Sequence, residues 1–252
     1  MKVFVISDIH IDYAENRRWL IELSNQLYKD DILILAGDLT EDLAILRAGF
    51  EALTSKFKHV LYVSGNHELW VSRNSESDSI EKFYDVCRVA EETGVLMEPL
   101  HEGNLSIVPL ASWYDFSFGE PEEMLLDTWM DFRMCRWPSD MELTDINDFF
   151  LEQNNKYLDI KNELVISFSH FLPRIDLMPS YIPPNYRFVY PVLGTNALEK
   201  QVRMLNPNIH IYGHSHVNRQ VTIDGVKYIN NAFGYPSEQN IAMKELLCIH
   251  RG

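Results

Sequence analysis

Cysteine is scarce. Cys87, Cys135 and Cys248 are the three thiols in 252 residues. They are odd in number, far apart and in no CxxC pair, which argues against a disulfide framework and predicts three reduced, partly buried thiols. Long apolar runs are missing too. None approaches the roughly 18 residues that a membrane-spanning helix needs. The opening stretch, Met1 to Asp8, turns acidic too soon for a secretory leader, so a cytoplasmic protein is expected. Basic charge is also short. Lys plus Arg number 22 against 37 Asp plus Glu, for a net charge of −15. With no Lys/Arg cluster the chain lacks the footprint of a duplex-binding protein, and a long nucleic acid is not an expected partner. A small phosphorylated molecule stays open as a substrate, because bound metal ions make a site locally positive.

What is present begins with apolar residues, 46% of the chain and enough for a sizeable core. Lys2–Ser7, Ile32–Ala36 and Val60–Val63 are continuous β-rich runs, as in strands covered on both faces. Helical spacing lies between and after them: Trp19, Leu20, Leu23 and Leu27; Leu43, Leu46, Phe50 and Leu53; then Ile80–Ala90. This alternation predicts an α/β fold with a largely parallel beginning. Leu105–Leu110, Leu164–Phe168, Ile209–Tyr212, Val221–Ile223 and Val226–Ile229 read as further strands, the last two joined by an Asp224-Gly225 hairpin turn. Ala197–Leu205 reads as a short helix, and the Pro-rich residues 171–194 as a long irregular loop. The aromatic, acidic region from Trp113 to Tyr157 reads as helices over one edge of the sheet. We expect one domain with a helical and aromatic insertion at about 113–160. Pattern alone allows either two sheets packed face to face or one mixed sheet.

Chemistry concentrates in five short segments: Asp8-Ile9-His10, Gly37-Asp38, Gly65-Asn66-His67-Glu68, Ser169-His170 and Gly213-His214-Ser215-His216. Each follows an apolar run. If strand alternation continues, Asp8 and His10 project together, as do His214 and His216. Five strand exits on one rim would gather Asp8, His10, Asp38, Asn66, His170, His214 and His216. Carboxylate, imidazole and amide donors without thiolate suit Mn²⁺, Fe or Zn²⁺, and they exceed what one tetrahedral metal needs. Each residue alone has a bland alternative as a turn or surface residue; the ordered set does not. His59, His101, His210 and His250 share no such pattern and read as structural or exposed.

The ordered motifs D-x-H, G-D, G-N-H-[DE], a lone H and G-H-x-H, all intact from Asp8 to His216, resemble the calcineurin-like metallophosphoesterases. That resemblance implies a four-layer α-β-β-α sandwich of two mixed sheets flanked by helices. It implies two divalent cations, one on Asp8, His10, Asp38 and His216, the other on Asp38, Asn66, His170 and His214. Asp38 would bridge them. His67 would face substrate as proton donor or transition-state stabiliser. The implied activity is phosphate ester hydrolysis, of a monoester or small diester, by a metal-bound hydroxide. Protein phosphatases of this superfamily read G-D-x-x-D-R-G, whereas this chain has Glu41 for the second Asp and Asp42 for the phosphate-gripping Arg. That departure counts against a phosphoprotein substrate. Arg133 and Arg136, among Trp129, Phe132 and Trp137, are candidates to grip the phosphate instead. A non-catalytic scaffold on the same fold and a nuclease of the same superfamily are the alternatives.

Overall fold

The computed structural model describes residues 1–71 and 77–252. Strands β1 (Lys2–Ile6), β2 (Ile32–Leu35) and β3 (His59–Tyr62) are parallel, and the right-handed crossover helices expected of such units are α1 (Ala14–Glu22) and α2 (Leu43–Thr54). Helix α3 (Ser79–Thr93) follows β3, with a capping box between Asp78 and Glu81 and Gly94 in the left-handed region at its end. β4 (Leu100–Glu102) and β5 (Leu105–Pro109) form a hairpin. Helices α4 (Glu123–Thr128), α5 (Asp131–Met134) and α6 (Leu143–Asn154) precede β6 (Leu164–Phe168). Helix α7 (Asn196–Leu205) leads to β7 (Ile209–Tyr212), β8 (Arg219–Ile223), β9 (Val226–Asn230) and β10 (Leu247–Arg251).

These strands make two mixed sheets. One runs β10-β1-β2-β3 with β10 antiparallel; the other runs β4-β5-β6-β7-β9-β8 with antiparallel strands at both edges. Alternation along the strands explains why the apolar runs are continuous. Val3, Val5, Ile32 and Ile34 meet Ile107, Ile166, Phe168 and Ile211 of the second sheet. Phe4, Ile6, Leu33 and Leu35 face the other way, against Leu20, Leu46, Phe50 and Val86 of the first three helices. Val165, Tyr212 and Tyr228 pack outward against Leu151, Leu198, Val202 and Leu205 of α6 and α7. The result is helix, sheet, sheet, helix. Burying each Val, Leu, Ile or Phe contributes ~1.5–3 kcal/mol, so the strand ends are fixed points from which loops can be hung.

Several elements depart from the sequence reading. Helix α1 ends at Glu22 rather than continuing to Leu27, which is 72% exposed. Lys56 explains the stop: its ammonium donates to the Ile21 and Leu23 carbonyls at 3.1 and 2.8 Å and to Asn25 Oδ1 at 2.7 Å, satisfying the last turn. The Pro-rich segment is not wholly irregular, since Ile175–Leu177 and Pro184–Val192 form 3₁₀ turns. The insertion helices lie over the outer face of the second sheet and the strand ends beyond it, with Ile146 and Phe150 packed on Trp113, Tyr114 and Phe171. The hairpin at Asp224 and Gly225 has positive φ at both positions (49° and 85°), as its sequence requires.

Candidate metal centre

β1, β2, β3, β6 and β7 all end at one rim, and each is followed within a few residues by a ligand-type residue. The loops are stitched to one another by backbone bonds. Asp8 N donates to Gly37 O at 2.9 Å, His10 N to Asp38 O at 3.1 Å, and Gly213 N to His170 O at 2.9 Å. The two carboxylates and four imidazoles meet there in two groups. One ligand atom from each of Asp8, His10, Asp38 and His216 lies within 4.8 Å of the others, and the same holds for Asp38, His170 and His214. Asn66 joins the second group, with its Oδ1 3.1 Å from His170 Nε2.

Strand alternation is not what aims these residues. Asp8, His10, Asp38, His214 and His216 all have positive φ, between 48° and 64°. The strands end before the candidate ligands, and left-handed turns swing each side chain inward. Such a conformation costs on the order of 1–3 kcal/mol at a non-glycine residue and survives only where surroundings enforce it. Asp and His tolerate it better than most residues. His214 and His216 consequently serve different groups. Glycine is required at Gly65, where a Cβ would sit 2.1 Å from Asp38 Oδ1, and at Gly37, where it would sit 2.4 Å from His170 Nδ1.

Glu68 holds two of the loops together. It is fully buried, and its carboxylate accepts from the backbone N–H of Gly65 (2.7 Å), Asp38 (3.1 Å), Leu39 (2.6 Å) and Thr40 (3.2 Å). Three of the four imidazoles are oriented from behind. His216 Nδ1 meets Glu238 at 2.6 Å, His170 Nδ1 meets Ala36 O at 2.9 Å, and His214 Nε2 meets Val192 O at 3.1 Å. The opposite ring nitrogens are thereby turned to the centre. His67 is stacked on Trp70 at 3.8 Å; its Nε2 lies 3.4 Å from the Tyr235 hydroxyl and 3.9 Å from Asp38 Oδ2. Tyr235 also stacks on His10 at 4.5 Å.

The electrostatics explain what the site wants. Burial, then the carboxylates of Glu68 and Asp8, hold the Asp38 pKa well above the usual carboxylate range. Burial and neighbouring imidazoles push His10 and His214 well below the normal histidine value, and burial lowers His170. Burial brings His67 down to about 3, with His170 and His216 adding to the effect. His216 is the exception. Burial alone would lower it, but Asp8 and Glu238 outweigh that and raise it to about 9. Asp8 is lowered in return, its burial overcome by His216. Ring nitrogens and buried carboxylates therefore crowd together: His10 Nε2 lies 3.2 Å from Nε2 of the protonated His216, and the lone pairs of His170 Nε2 and His214 Nδ1 meet at 3.1 Å. Asp8 and Asp38 pair with imidazoles rather than with lysine or arginine. Converging nitrogen and oxygen donors, balanced among the described residues by a protonated His216 rather than by lysine or arginine, fit divalent cations.

A cavity of about 410 Å³ opens over the centre, lined by Asp38, Asn66, His67, His214 and His216 together with Trp70, Trp129, Met130, Val189, Leu193 and Tyr235. Arg133 and Arg136 are exposed and not among its lining residues; the Arg133 guanidinium donates to the Asp127 carbonyl. Short helix α5 turns Asp131 inward and Arg133 outward. Glu41 gives its backbone carbonyl to Lys82 at 2.8 Å, and the recorded contacts of His67 are with Asp38, Tyr235, Trp70 and His10 instead. Asp42 caps α2, accepting from Ala44 and Ile45. His210 bonds Ser167 and Ser169 at 2.8 and 3.1 Å, away from both groups. Sequence reading gave no role to Glu68, Asp131, Tyr235 or Glu238. Only Glu68 carried a signal, as the last letter of G-N-H-[DE].

The sequence matches the family described as Calcineurin-like phosphoesterase over residues 1–218. The chain belongs to that family. It is a metal-dependent phosphoester hydrolase, and the family works with a dinuclear centre of divalent ions. The [acyl-carrier-protein] phosphodiesterase PptH of Mycobacterium tuberculosis is 26% identical over 281 aligned residues, covering 94% of this chain and 78% of that protein. The crystal structure of the Mycobacterium tuberculosis phosphopantetheinyl hydrolase PptH superposes with a TM-score of 0.76 at 22% identity, covering 98% of this chain and 95% of that one. A purple acid phosphatase, PPD1 from yellow lupin (Lupinus luteus) seeds, shares the fold at a TM-score of 0.51 and 14% identity, over 91% of this chain and 43% of its own. The scaffold alternative gives way to catalysis. The three cysteines are free and half-buried, and among the described residues no helix is long and apolar enough to cross a membrane.

Proposed function

We propose that Asp8, His10, Asp38 and His216 hold one divalent cation, that Asp38, Asn66, His170 and His214 hold a second, and that the substrate is a phosphodiester. The observation that carries this reading is the pair of donor groups sharing Asp38. Manganese, iron and zinc all suit the oxygen and nitrogen set. The whole chain acts as one metallophosphoesterase domain with an insertion at about 113–160, in the cytoplasm, where its free thiols stay reduced.

When bound, such a pair activates water and stabilises charge on the phosphoryl oxygens. The chain's own residues do the rest. Water adds to phosphorus, the bond to the leaving alcohol breaks, and the proton from water ends on that alcohol's oxygen. His67, neutral near pH 7, contributes a hydrogen bond to the leaving oxygen rather than a full proton. Trp70 fixes its ring by stacking. The indoles and aliphatic side chains of the cavity suit a slender, uncharged arm beside the phosphate.

The phosphodiester between phosphopantetheine and an acyl carrier protein is the first substrate to try, because PptH is named for acting there. Manganese-loaded protein should convert holo acyl carrier protein to the apo form, read by intact mass, and should hydrolyse bis(p-nitrophenyl) phosphate. Turnover of the aryl diester without loss of mass from the carrier protein would point to a small diester instead. No turnover of any phosphate ester with both cations bound would defeat the proposal.

A further inference from the structure

Asp131 lies in short helix α5, inside the insertion, and is 2% exposed. Its carboxylate accepts three side-chain N–H bonds: Asn66 Nδ2 at 2.8 Å and Trp70 Nε1 at 2.7 Å on Oδ1, and Trp129 Nε1 at 2.8 Å on Oδ2. All three donors line the cavity over the metal centre. They come from chain positions 61 and 65 residues before Asp131 and from two residues before it.

The consequence for Asn66 is specific. A carboxamide can present oxygen or nitrogen in nearly the same place, and hydrogen bonding decides which. A carboxylate that already accepts two indole N–H bonds is the acceptor here too, so it claims the Asn66 nitrogen and turns the oxygen the other way. That oxygen lies 3.1 Å from His170 Nε2, in the second donor group. Flipped, Asn66 would aim an N–H at a cation and lose a ligand. The same carboxylate fixes the indole stacked on His67 at 3.8 Å and the indole set edge-on to His214 at 5.8 Å.

We propose that Asp131 is a positioning residue: it sets the Asn66 amide with oxygen toward the second cation and locks the two indoles that flank the cavity. It rests on Asn66 being a ligand of that cation, as proposed above. Asp131 also lines the cavity, but its carboxylate is taken up by its three N–H donors. It acts through Asn66, Trp70 and Trp129, and so links the insertion to the chemistry at the strand ends.

The test exchanges donor and acceptor. In Asn66→Asp alone, two carboxylates face one another across a hydrogen-bond distance. In the double variant Asn66→Asp/Asp131→Asn, the new amide donates to the new carboxylate, whose other oxygen remains for the cation, and the Trp70 N–H bond to that same atom is given up. Mn²⁺ binding is followed by calorimetry on metal-stripped protein, with thermal unfolding of the same samples as the control for folding. Asp131→Ala should weaken the second Mn²⁺ by ~10–100-fold and leave the first unchanged. The double variant should bind the second Mn²⁺ roughly tenfold tighter than Asn66→Asp does. Should Asp131→Ala fold poorly, the two isosteric variants decide. A double variant no tighter than Asn66→Asp would overturn the proposal, as would an Asp131→Ala protein that keeps its second Mn²⁺ at native affinity. Asn66→Ala marks failure of the underlying reading: if it binds both ions like the native protein, Asn66 is no ligand and Asp131 has nothing to orient.

Discussion

The two donor groups share Asp38 and are otherwise unlike. The first adds a carboxylate, Asp8, and its His216 is backed by a second carboxylate, Glu238. The second adds the neutral amide of Asn66, backed by Asp131, and its imidazoles are backed by the carbonyls of Ala36 and Val192. The first group thus has two carboxylates of its own, Asp8 and Glu238, against Asp131 for the second. In the proposed two-ion centre the first cation is held more tightly, and the second, bound by softer electrostatics, is the one more easily lost. Like donors at like distances need not make equal sites; what stands behind each donor matters too.

Asp38→Ala should have the largest effect, because it breaks both groups at once. A loss of on the order of 10³-fold in kcat/KM is expected, equivalent to several kcal/mol of transition-state stabilisation. Loss of one cation only would break the symmetry of its sharing. Asp8→Asn comes next. Neutralising the first group should abolish its advantage, so that calorimetry no longer separates a tight from a weak Mn²⁺. Glu238→Gln keeps the shape behind His216 and removes the charge. It should weaken the first cation by ~10–100-fold and spare the second, the mirror image of changes at Asn66.

The smallest effect concerns protons. His216 has a folded-state value of about 9 against its ordinary 6.5. A raised value means that the ion pair with Asp8 and Glu238 stabilises the metal-free protein fully below pH 6.5. That contribution fades as pH rises through about 9. A cation on His216 must displace this proton. Binding of the first Mn²⁺ at pH 7 should therefore release a proton, seen as a dependence of the binding enthalpy on the buffer's ionisation enthalpy. Binding of the second should show less, since burial already keeps His170 and His214 neutral.

The same contrast runs through what the sequence disclosed. The loops of the candidate centre were readable because each couples a strand buried on both faces to a distinctive motif, and the motif order carries the family. The direction of the ligands was not readable. Alternation would have aimed His214 and His216 together, whereas left-handed turns send them to different groups. β4 is three residues long, and β10 exists because it pairs with β1 at the opposite end of the chain. Neither has a local signal strong enough to stand alone. Asp131 was hidden for the same reason. It is an ordinary acidic residue in an acidic segment until folding brings Asn66 and Trp70 against it. The arginines two and five positions later looked the better candidates, yet neither lines the cavity, Arg133 being turned away on the single turn of helix that starts at Asp131.

Anomalous diffraction from a crystal grown with manganese tests the two-cation centre most directly. Two peaks should appear about 3.5–4 Å apart, one on each side of the Asp38 carboxylate, with the Asn66 oxygen on the second. A single peak, or none among these side chains, would contradict it.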